Sequence, residues 1–290
     1  MPTADVVIDG PLVKALLEDQ HPDLAALPLF DPAFGWDNVM FRLGEDLVVR
    51  LPRRAASAEL IEHEQRWLPE LAPRLPLAVP APVRTGRPGA CFPWSWSVCP
   101  WLPGEPVATR SPDDMHEAAT ALGAFFRALH RRAPADAPVN PFRGVRLADR
   151  AEATHARIEQ LGPEIDGARV LAAWEDLAAT PPWTGPALWL HGDMHPSNVL
   201  VLEGRVSAVI DFGDITSGDA ATDLAISWML FPAAARAVLR ASAGEVDDHT
   251  WRRARGWALT LAVAFLSSSA DNQVMAHIGR RTLAAALSDE

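Results

Sequence analysis

The residues best suited to chemistry lie in one stretch, HGDMHPSNVLVLEGRVSAVIDFGD, which begins at His191. Within it, the apolar runs NVLVL (198–202) and VSAVID (206–211) flank the polar turn EGR and predict a β-hairpin. Because a hairpin brings its outer ends together, Asn198 and Asp211 are expected to reach one point. An amide oxygen and a carboxylate are hard oxygen donors, which suit Mg²⁺. The stretch therefore predicts a magnesium site.

A second carboxylate lies on the loop that leads into this hairpin. Asp193 precedes Asn198 by five residues, so it can face the same space without binding the metal. There it can orient an attacking hydroxyl group and accept its proton, while the cation neutralises phosphate charge. This combination is typical of phosphoryl transfer to an alcohol.

The same stretch leaves two other interpretations open. His191, Asp193 and His195 stand at i, i+2 and i+4, a cluster through which a metallohydrolase could bind zinc. Zinc hydrolases need further ligands on other elements, and the remaining histidines show no clustered spacing; they are at positions 21, 63, 116, 130, 155, 249 and 277. A nucleotide-binding regulator without turnover is the other alternative. ATP turnover with a small alcohol, together with a zinc analysis, separates the three.

The elements before the site indicate a strand-rich lobe over residues 1–98. Apolar residues at helical or alternating spacing predict short helices and strands there. The predicted elements are a helix at 11–19, a hairpin of strands 37–43 and 47–51 around the turn GED, a helix at 55–72 and a strand at 94–102.

The remainder of the chain is predicted to be mainly helical, with the catalytic hairpin inside it. Residues 99–106, rich in proline, predict a linker, and 107–290 a second lobe. Its predicted elements are a helix at 111–132 capped by Ser111, one or two helices within 147–178, strands at 187–191, 198–202 and 206–211, and helices from near Asp219 to the end. We expect an α+β, two-lobed, protein-kinase-like fold with a small antiparallel β-rich N-terminal lobe and a larger, mainly helical C-terminal lobe.

The joint pattern resembles a known family. His191-Gly192-Asp193, Asn198 and Asp211-Phe212-Gly213 resemble the catalytic-loop and metal-binding signatures of protein kinases. The variant HGDMHPSN…IDFGD is more similar to the aminoglycoside/macrolide phosphotransferases and choline-kinase-like proteins. The resemblance implies that Asp193 is the catalytic base, that Asn198 and Asp211 bind Mg²⁺, and that His191 braces the loop. It also implies ATP or GTP as co-substrate.

The resemblance further implies a nucleotide site in the first lobe. Arg50 on the predicted strand would bind the phosphates and pair with Glu64 on the next helix, although protein kinases have lysine at the first position. The phosphate-covering loop departs from G-x-G-x-x-G, because DPAFGWDNVMF has one glycine. The other expected nucleotide contacts are the backbone near Gly35 and Asn38, the backbone of Cys99 and Trp101 in the linker, and the apolar side chains Val49 and Ile210.

Several residues beyond the signature motifs are secondary candidates. GDAATDLA resembles the GD-x-x-x-DLA segment of the family, which implies that Asp219 caps the next helix and that Asp223 braces the catalytic loop. Asp214 is a candidate minor contact. The acceptor is expected over the helical lobe, facing Asp193, and the candidate walls are Trp228, Trp251, Trp257, Phe265 and Asp271.

Composition limits the classes of partner. A net charge of −11 argues against a nucleic-acid surface and favours attraction of a cationic small substrate. Two cysteines do not form a disulfide framework, which indicates a reducing compartment. The N-terminus shows no signal peptide, and the apolar run 258–266 is too short to cross a bilayer. The expectation is a cytoplasmic protein that binds a hydroxyl-bearing small molecule, with no membrane partner and an oligomeric state that the sequence leaves undetermined.

Overall fold

A computed structural model describes residues 3–269 and 271–288 of the chain. It divides into two compact units, Met1–Pro103 and Gly104–Glu290. Antiparallel sheets are combined with helices in the chain, which confirms the predicted α+β class. The assignment of 99–106 as a linker between lobes stays a prediction.

The first unit is built on a five-stranded sheet with the order β1-β2-β3-β5-β4, in which all neighbours are antiparallel. The strands are β1 (Leu29–Phe34), β2 (Asn38–Leu43), β3 (Leu47–Pro52), β4 (Arg84–Gly86) and β5 (Trp96–Pro100). β2 and β3 pair along their whole length and form the predicted hairpin. Gly44 turns the chain between them at a φ of +61°, which glycine adopts without strain.

Two helices complete this unit. The apolar side of α1 (Gly10–Gln20) packs on the sheet, where Leu16 and Phe41 share one buried cluster. Helix α2 (Ala55–Leu71) follows β3 and buries the side on which Glu64 lies. Helical spacing in the sequence therefore fixes which residues of α2 point toward the sheet.

The second unit contains two small antiparallel sheets and most of the helices. Its strands are β6 (Glu105–Pro106), β7 (Leu188–Leu190), β8 (Val199–Leu202), β9 (Arg205–Val209) and β10 (Thr216–Gly218), arranged as β6-β8-β9 and β7-β10. Its helices are α3 (Met115–Leu129), α4 (Ala151–Leu161), α5 (Gly167–Ala178), α6 (Ala221–Leu224), α7 (Ile226–Leu230), α8 (Ala233–Ser242), α9 (Asp248–Ser268) and α10 (Gln273–Ser288).

Helix α9 forms the centre of the second unit. It packs against α4, α5, α6 and α10, and its middle turns are buried on nearly all sides. Trp257 within it is fully buried, so this predicted substrate wall is a core residue. The apolar run 258–266 lies in these buried turns. A helix that is apolar on all sides belongs in a protein core or a membrane. No helix in the described parts of the chain is long and apolar enough to span a bilayer.

Two predicted boundaries differ from the structure. The helix expected from Ser111 begins at Met115, and Asp114 caps it by accepting the His116 and Glu117 N–H groups at 2.7 and 3.2 Å. The strand expected to end at Asp211 ends at Val209. The predicted helix start lies four residues before the observed one, and the predicted strand end lies two residues after the observed one. Apolar spacing does not define where backbone hydrogen bonding begins or stops.

Candidate active site

The loop between β7 and β8 is braced by the buried ring of His191. Its Nε2 lies 2.9 Å from the Ile210 carbonyl oxygen, and its Nδ1 accepts the Asp193 N–H at 3.2 Å. The two contacts fit a ring that donates from Nε2 and accepts at Nδ1. The imidazole thus ties this loop to the segment that follows β9, and both nitrogens are used in doing so.

Asp223 also holds the same loop in place. Its buried carboxylate accepts the N–H groups of His191 and Gly192 at 2.8 and 2.9 Å, and His130 Nε2 lies 3.1 Å from it. Gly192 has a φ of +88°, and a Cβ there would lie 2.0 Å from the Asp214 carbonyl oxygen. The tight turn therefore requires glycine. These contacts agree with the bracing role expected for Asp223.

Asp193 lies on this fixed loop with its carboxylate about a quarter exposed. Oδ1 is 3.1 Å from Arg143 Nη2, and Oδ2 is 3.3 Å from His195 Nε2. Burial alone would raise the pKa of Asp193, but the charge and hydrogen bond of His195, with Arg143 and His191, outweigh it and lower that pKa. The carboxylate is therefore ionised and remains reachable by a second molecule.

Asn198 and Asp211 both lie at the outer end of the β8–β9 hairpin. The Ile210 N–H donates to the Asn198 carbonyl oxygen at 2.9 Å, so Asp211 directly follows the last paired residue. Asn198 Nδ2 donates to the Asp193 carbonyl oxygen at 2.9 Å, which leaves Oδ1 as the side-chain atom suited to a cation. Asp211 has a φ of +63°, a left-handed conformation that aspartate tolerates better than most residues. One amide oxygen and one carboxylate fit Mg²⁺, which usually binds few protein ligands and completes its shell with water and phosphate.

The zinc interpretation does not fit this geometry. Both ring nitrogens of His191 are engaged with backbone groups, so the first proposed ligand has no nitrogen for a metal. Across residues 3–269 and 271–288, no three His, Cys, Asp or Glu side chains are grouped as a metal site.

In the first unit, Arg50 and Glu64 form a buried ion pair. Arg50 Nη1 is 2.6 Å from Glu64 Oε2, and the two side chains are 6% and 0% exposed. Arg50 lies on β3 and Glu64 on α2, as the sequence predicts. Cys99 lies on the neighbouring strand, where burial, only partly offset by Arg50, raises the pKa of its thiol to about 12. The thiol is therefore neutral and unreactive at physiological pH.

The other predicted nucleotide contacts differ in how many of their groups are already used within the protein. The Gly35 N–H is donated to the Asn38 carbonyl oxygen at 2.8 Å, which closes the turn on itself. Similarly, the Trp101 N–H is donated to Asp46 at 2.7 Å, so only its carbonyl oxygen could meet a base edge. Val49 is fully buried in the sheet. Ile210 pairs with Asn198 and His191 through its backbone, and its side chain is half-buried.

The sequence did not indicate Arg143 beside the catalytic loop, nor Arg150 and Arg157 near Arg143. Arg143 contacts Asp193, and Arg150 stacks over the Phe142 ring at 5.3 Å. Burial, and then repulsion from Arg157 and Arg143, lower the pKa of Arg150; burial and Arg143 act likewise on Arg157. Within the described residues, Nε of both Arg143 and Arg150 is buried without a hydrogen-bond partner. Arg143, the partner of Asp193, therefore belongs to a group of three arginines although the chain is acidic overall.

Hydrogen bonds between residues far apart in sequence fix the loop that bears Arg143. Asp219 N–H donates to the Gly144 carbonyl oxygen at 2.9 Å, and Asn140 Nδ2 donates to Asp214 Oδ1 at 2.7 Å. A Cβ on Gly218 would lie 2.1 Å from the Gly144 carbonyl oxygen, so the two chains touch without side chains between them. The sequence shows two glycines at these positions, but it does not show that they contact each other, because they are far apart along the chain.

The remaining candidate residues beyond the signature motifs lie at different positions in the second unit. Asp219 accepts the Ala221 N–H at 3.1 Å at the start of α6 and also pairs with Arg253 at 2.6 Å. The Phe265 ring lies 5.8 Å from the His195 ring, next to the catalytic loop. Trp228 and Trp251 line a cavity whose lining contains no residue of the catalytic loop, and Asp271 is exposed just after α9.

Comparison with known proteins agrees with the fold and the motifs. Residues 32–257 match the model of the phosphotransferase enzyme family. An aminoglycoside 3'-phosphotransferase from Escherichia coli is 29% identical over 111 residues, which cover 37% of this chain and 41% of that relative.

Solved structures match over nearly the whole chain. The GDP complex of wild-type aminoglycoside 2'-phosphotransferase-IIIa has a TM-score of 0.72 at 19% identity, covering 97% of this chain and 99% of that one. Macrolide 2'-phosphotransferase MphH from Brachybacterium faecium has a TM-score of 0.60 at 24% identity, with coverages of 94% and 99%. The streptomycin-ATP-APH(2")-IIa ternary complex has a TM-score of 0.61 at 17% identity, with coverages of 94% and 95%. At these identities the structures establish the fold, and the family model establishes membership: this chain belongs to the phosphotransferase enzyme family.

Proposed function

We propose that this protein transfers the terminal phosphate of ATP or GTP to a hydroxyl group of a small molecule. The observation that supports it best is the environment of Asp193. The carboxylate is ionised, partly exposed, and fixed on a loop whose backbone also orients Asn198. A carboxylate with a lowered pKa is a weak base, so it acts by aligning the hydroxyl group and accepting its proton late in the reaction.

We assign the Mg²⁺ ligands to the Asn198 amide oxygen and the Asp211 carboxylate. When bound, this cation neutralises charge on the transferred phosphate. The asparagine is oriented by its bond to the Asp193 backbone, so the metal ligand and the base are held by one loop. In the first unit, Arg50 is the proposed ligand of the nucleotide phosphates, and Glu64 sets its direction.

The acceptor class follows from local charge together with the relatives. The similar proteins act on aminoglycosides and macrolides, and complexes with GDP and with ATP are known for them. Arg143 pairs with Asp193, and Arg150 and Arg157 lie near Arg143, so this group of arginines disfavours closely spaced ammonium groups on an acceptor. We therefore propose an acceptor with few positive charges near its reacting hydroxyl, as in a macrolide, ahead of a polycationic aminoglycoside or choline. This reverses the expectation drawn from the net charge.

A phosphorylation screen tests the function. Purified protein is incubated with Mg²⁺ and either ATP or GTP, against erythromycin, kanamycin, an amino sugar and choline, and products are detected by mass. We expect an added phosphate on at least one acceptor, with the macrolide preferred. Asp193→Asn is the inactive variant, and Asp149→Asn, an exposed acid paired with Arg146, is its matched control.

Two outcomes would contradict the proposal. Full turnover by Asp193→Asn would remove Asp193 from its role. Nucleotide binding without transfer to any acceptor, in a protein that retains Asp193, Asn198 and Asp211, would favour the non-catalytic regulator instead. Asp211→Ala separates the metal site from the base, since it should lose Mg-nucleotide affinity, whereas Asp193→Asn should keep it.

A further inference from the structure

Three arginines of the second unit lie close together, and one of them contacts Asp193. Arg143 Nη2 is 3.1 Å from Asp193 Oδ1. Arg150, at the N-terminus of α4, lies over the ring of Phe142, the chain neighbour of Arg143, at 5.3 Å. Arg157 follows about two turns later on the same side of α4, within electrostatic range of both other arginines. We refer to Arg143, Arg150 and Arg157 as the arginine group.

The positive charge of the arginine group is only partly neutralised by the protein. Asp193 pairs with Arg143, but Arg150 and Arg157 form no side-chain hydrogen bond or ion pair anywhere in the described parts of the chain. Burial, and then repulsion within the group, lower the pKa of both. A cluster of like charges costs stability, and groups perturbed in this way gather at functional sites. The arrangement therefore indicates a place for a negative ligand.

The guanidinium groups are accessible to a second molecule. Arg150 and Arg157 are both half-buried. Nε is the one side-chain nitrogen of Arg150 that is fully buried, and Arg157 has none, so the terminal nitrogens of both residues have accessible surface. These nitrogens form a rigid fork of N–H donors that matches a carboxylate or a phosphate. An anion can therefore bind here without any buried atom taking part.

The contacts of Asp193 give an anion at this place a role in the reaction. Oδ1 is occupied by Arg143, and Oδ2 is 3.3 Å from His195 Nε2, so an acceptor hydroxyl must replace one of these partners. An anion that takes the donors of Arg143 releases Oδ1 to the hydroxyl. The exchange costs little, because the Arg143–Asp193 pair is partly exposed. Binding of an acidic group and release of the base are then one event.

An exposed apolar surface adjoins the arginine group. Phe142 is 57% exposed although Arg150 covers one face of its ring, and Val139 on the same segment is 77% exposed. Small-molecule sites combine apolar walls with a few polar groups that fix the orientation of the ligand. The surroundings therefore suit a ligand that has an apolar body as well as an acidic group.

We propose that the arginine group binds an acidic group, a carboxylate or a phosphate ester, on the acceptor of the phosphotransfer reaction. The acidic group lies on Arg150 and Arg157, the apolar body lies on Phe142, and the hydroxyl group meets Asp193. Hydrogen bonds of about 3 Å on either side of the Arg143 guanidinium place the acid and the hydroxyl only a few bonds apart. This inference rests on the proposed function and narrows its acceptor class, from few positive charges to a negative one.

Binding is tested without nucleotide, by thermal unfolding of the full chain at one ionic strength. The ligands are tropate, a phenyl-substituted β-hydroxy acid; tropamide, its neutral amide; the corresponding cationic amine; and the monophosphate of the corresponding diol. They share the phenyl ring and the hydroxyl group and differ in charge. At about ten times its Kd, an acidic ligand should raise the unfolding midpoint by about 2–4 °C, and the amide and the amine should not. The tighter acid identifies the acidic group.

Variants locate the binding. Arg150→Gln and Arg157→Gln should each weaken tropate binding about tenfold, because each removes one charged hydrogen-bond donor group. Both should also raise the unfolding midpoint of the ligand-free protein, since each relieves repulsion within the arginine group. Arg146→Gln is the matched control, because Arg146 lies just before α4, is 68% exposed and pairs with Asp149. It should change neither quantity.

Turnover connects this site with the proposed reaction. With Mg²⁺ and ATP or GTP, the ratio of kcat/KM for tropate to that for tropamide should fall about tenfold in Arg150→Gln and stay unchanged in Arg146→Gln. Asp193→Asn leaves Arg143 without its carboxylate. That variant should therefore bind tropate at least as tightly as the wild type while it loses turnover.

Three results would overturn the inference. The first is an equal shift of the unfolding midpoint with tropate and tropamide in the wild-type protein. The second is an equal loss of tropate affinity in Arg146→Gln, which would indicate diffuse attraction of anions. The third is phosphorylation of a macrolide without any preference for tropate over tropamide, which would leave the proposed function intact. Tropate binding that depends on Arg150 and Arg157, in a protein that phosphorylates no acceptor, would instead support the anion site and contradict the proposed function.

Discussion

Two arginine–carboxylate pairs in this protein use the same chemistry in opposite ways. Arg50–Glu64 is 2.6 Å long and almost completely buried, and its members lie on a strand and a helix. Arg143–Asp193 is 3.1 Å long, about a quarter exposed on each side, and both members lie on loops. The first pair is part of the framework, whereas the second can open.

The difference follows from solvation. Breaking a buried pair leaves an uncompensated charge in a poorly solvated place, so its partner is fixed. In an exposed pair, water and other ligands compete, and the net stabilisation is small. A residue that must position another is therefore best buried, and a residue that must meet a substrate is best left in an exchangeable pair.

The largest expected effect is on the exchangeable pair. Asp193→Asn should lower kcat by about a hundred- to ten-thousand-fold, because an amide neither aligns nor deprotonates a hydroxyl group well. Nucleotide affinity and the unfolding midpoint should change little. Steady-state kinetics and nucleotide titration measure both effects. A variant that loses nucleotide binding with its rate would show that the second pair is structural after all.

The buried pair should respond in stability. Glu64→Ala leaves Arg50 buried without its carboxylate and should lower the free energy of unfolding by about 3–5 kcal/mol. The double variant Arg50→Met/Glu64→Leu should recover most of this loss. Urea denaturation of both, with Glu59→Ala on the exposed side of α2 as control, measures the difference. A loss of the same size in the control would mean that the helix, not the pair, is being tested.

Arg143→Gln sharpens the contrast with a smaller effect. Removing an exchangeable partner should change the free energy of unfolding by less than about 1 kcal/mol. It should also raise kcat/KM for kanamycin relative to erythromycin, because the positive charge next to Asp193 is removed. Urea denaturation and acceptor kinetics test the two parts. A loss of stability as large as that in Glu64→Ala would place both pairs in the same class.

The sequence predicts the framework better than the exchangeable contacts. Arg50 and Glu64 could be assigned because each lies on a regular element, and periodic burial determines which way its side chain points. The hairpin that begins at Asn198 could be predicted from two apolar runs and a turn. The left-handed conformation of Asp211 could not be predicted, since apolar spacing does not encode a φ value.

Long-range contacts explain what the sequence leaves out. Arg143 reaches Asp193 because the Gly144 backbone touches Gly218, a contact with no local pattern. Trp251 and Trp257 are both buried at helical positions of α9, yet one lines a cavity and the other lies in the core. Periodicity predicts that both face inward, and only the packing of α5, α7 and α8 decides what each meets.

The two cysteines give the mildest test of the buried pair. Cys91 is exposed, whereas Cys99 is fully buried beside Arg50 and Glu64, with a pKa raised to about 12 by burial. Ellman's reagent at pH 8 should therefore modify one thiol in the native protein and none in Cys91→Ser. In Cys91→Ser/Glu64→Ala, the loosened pair should expose Cys99 and restore slow labelling. Rapid labelling of Cys99 in the otherwise unaltered protein would show that the surroundings of Arg50 open as readily as those of Arg143, and the distinction between the two pairs would then be lost.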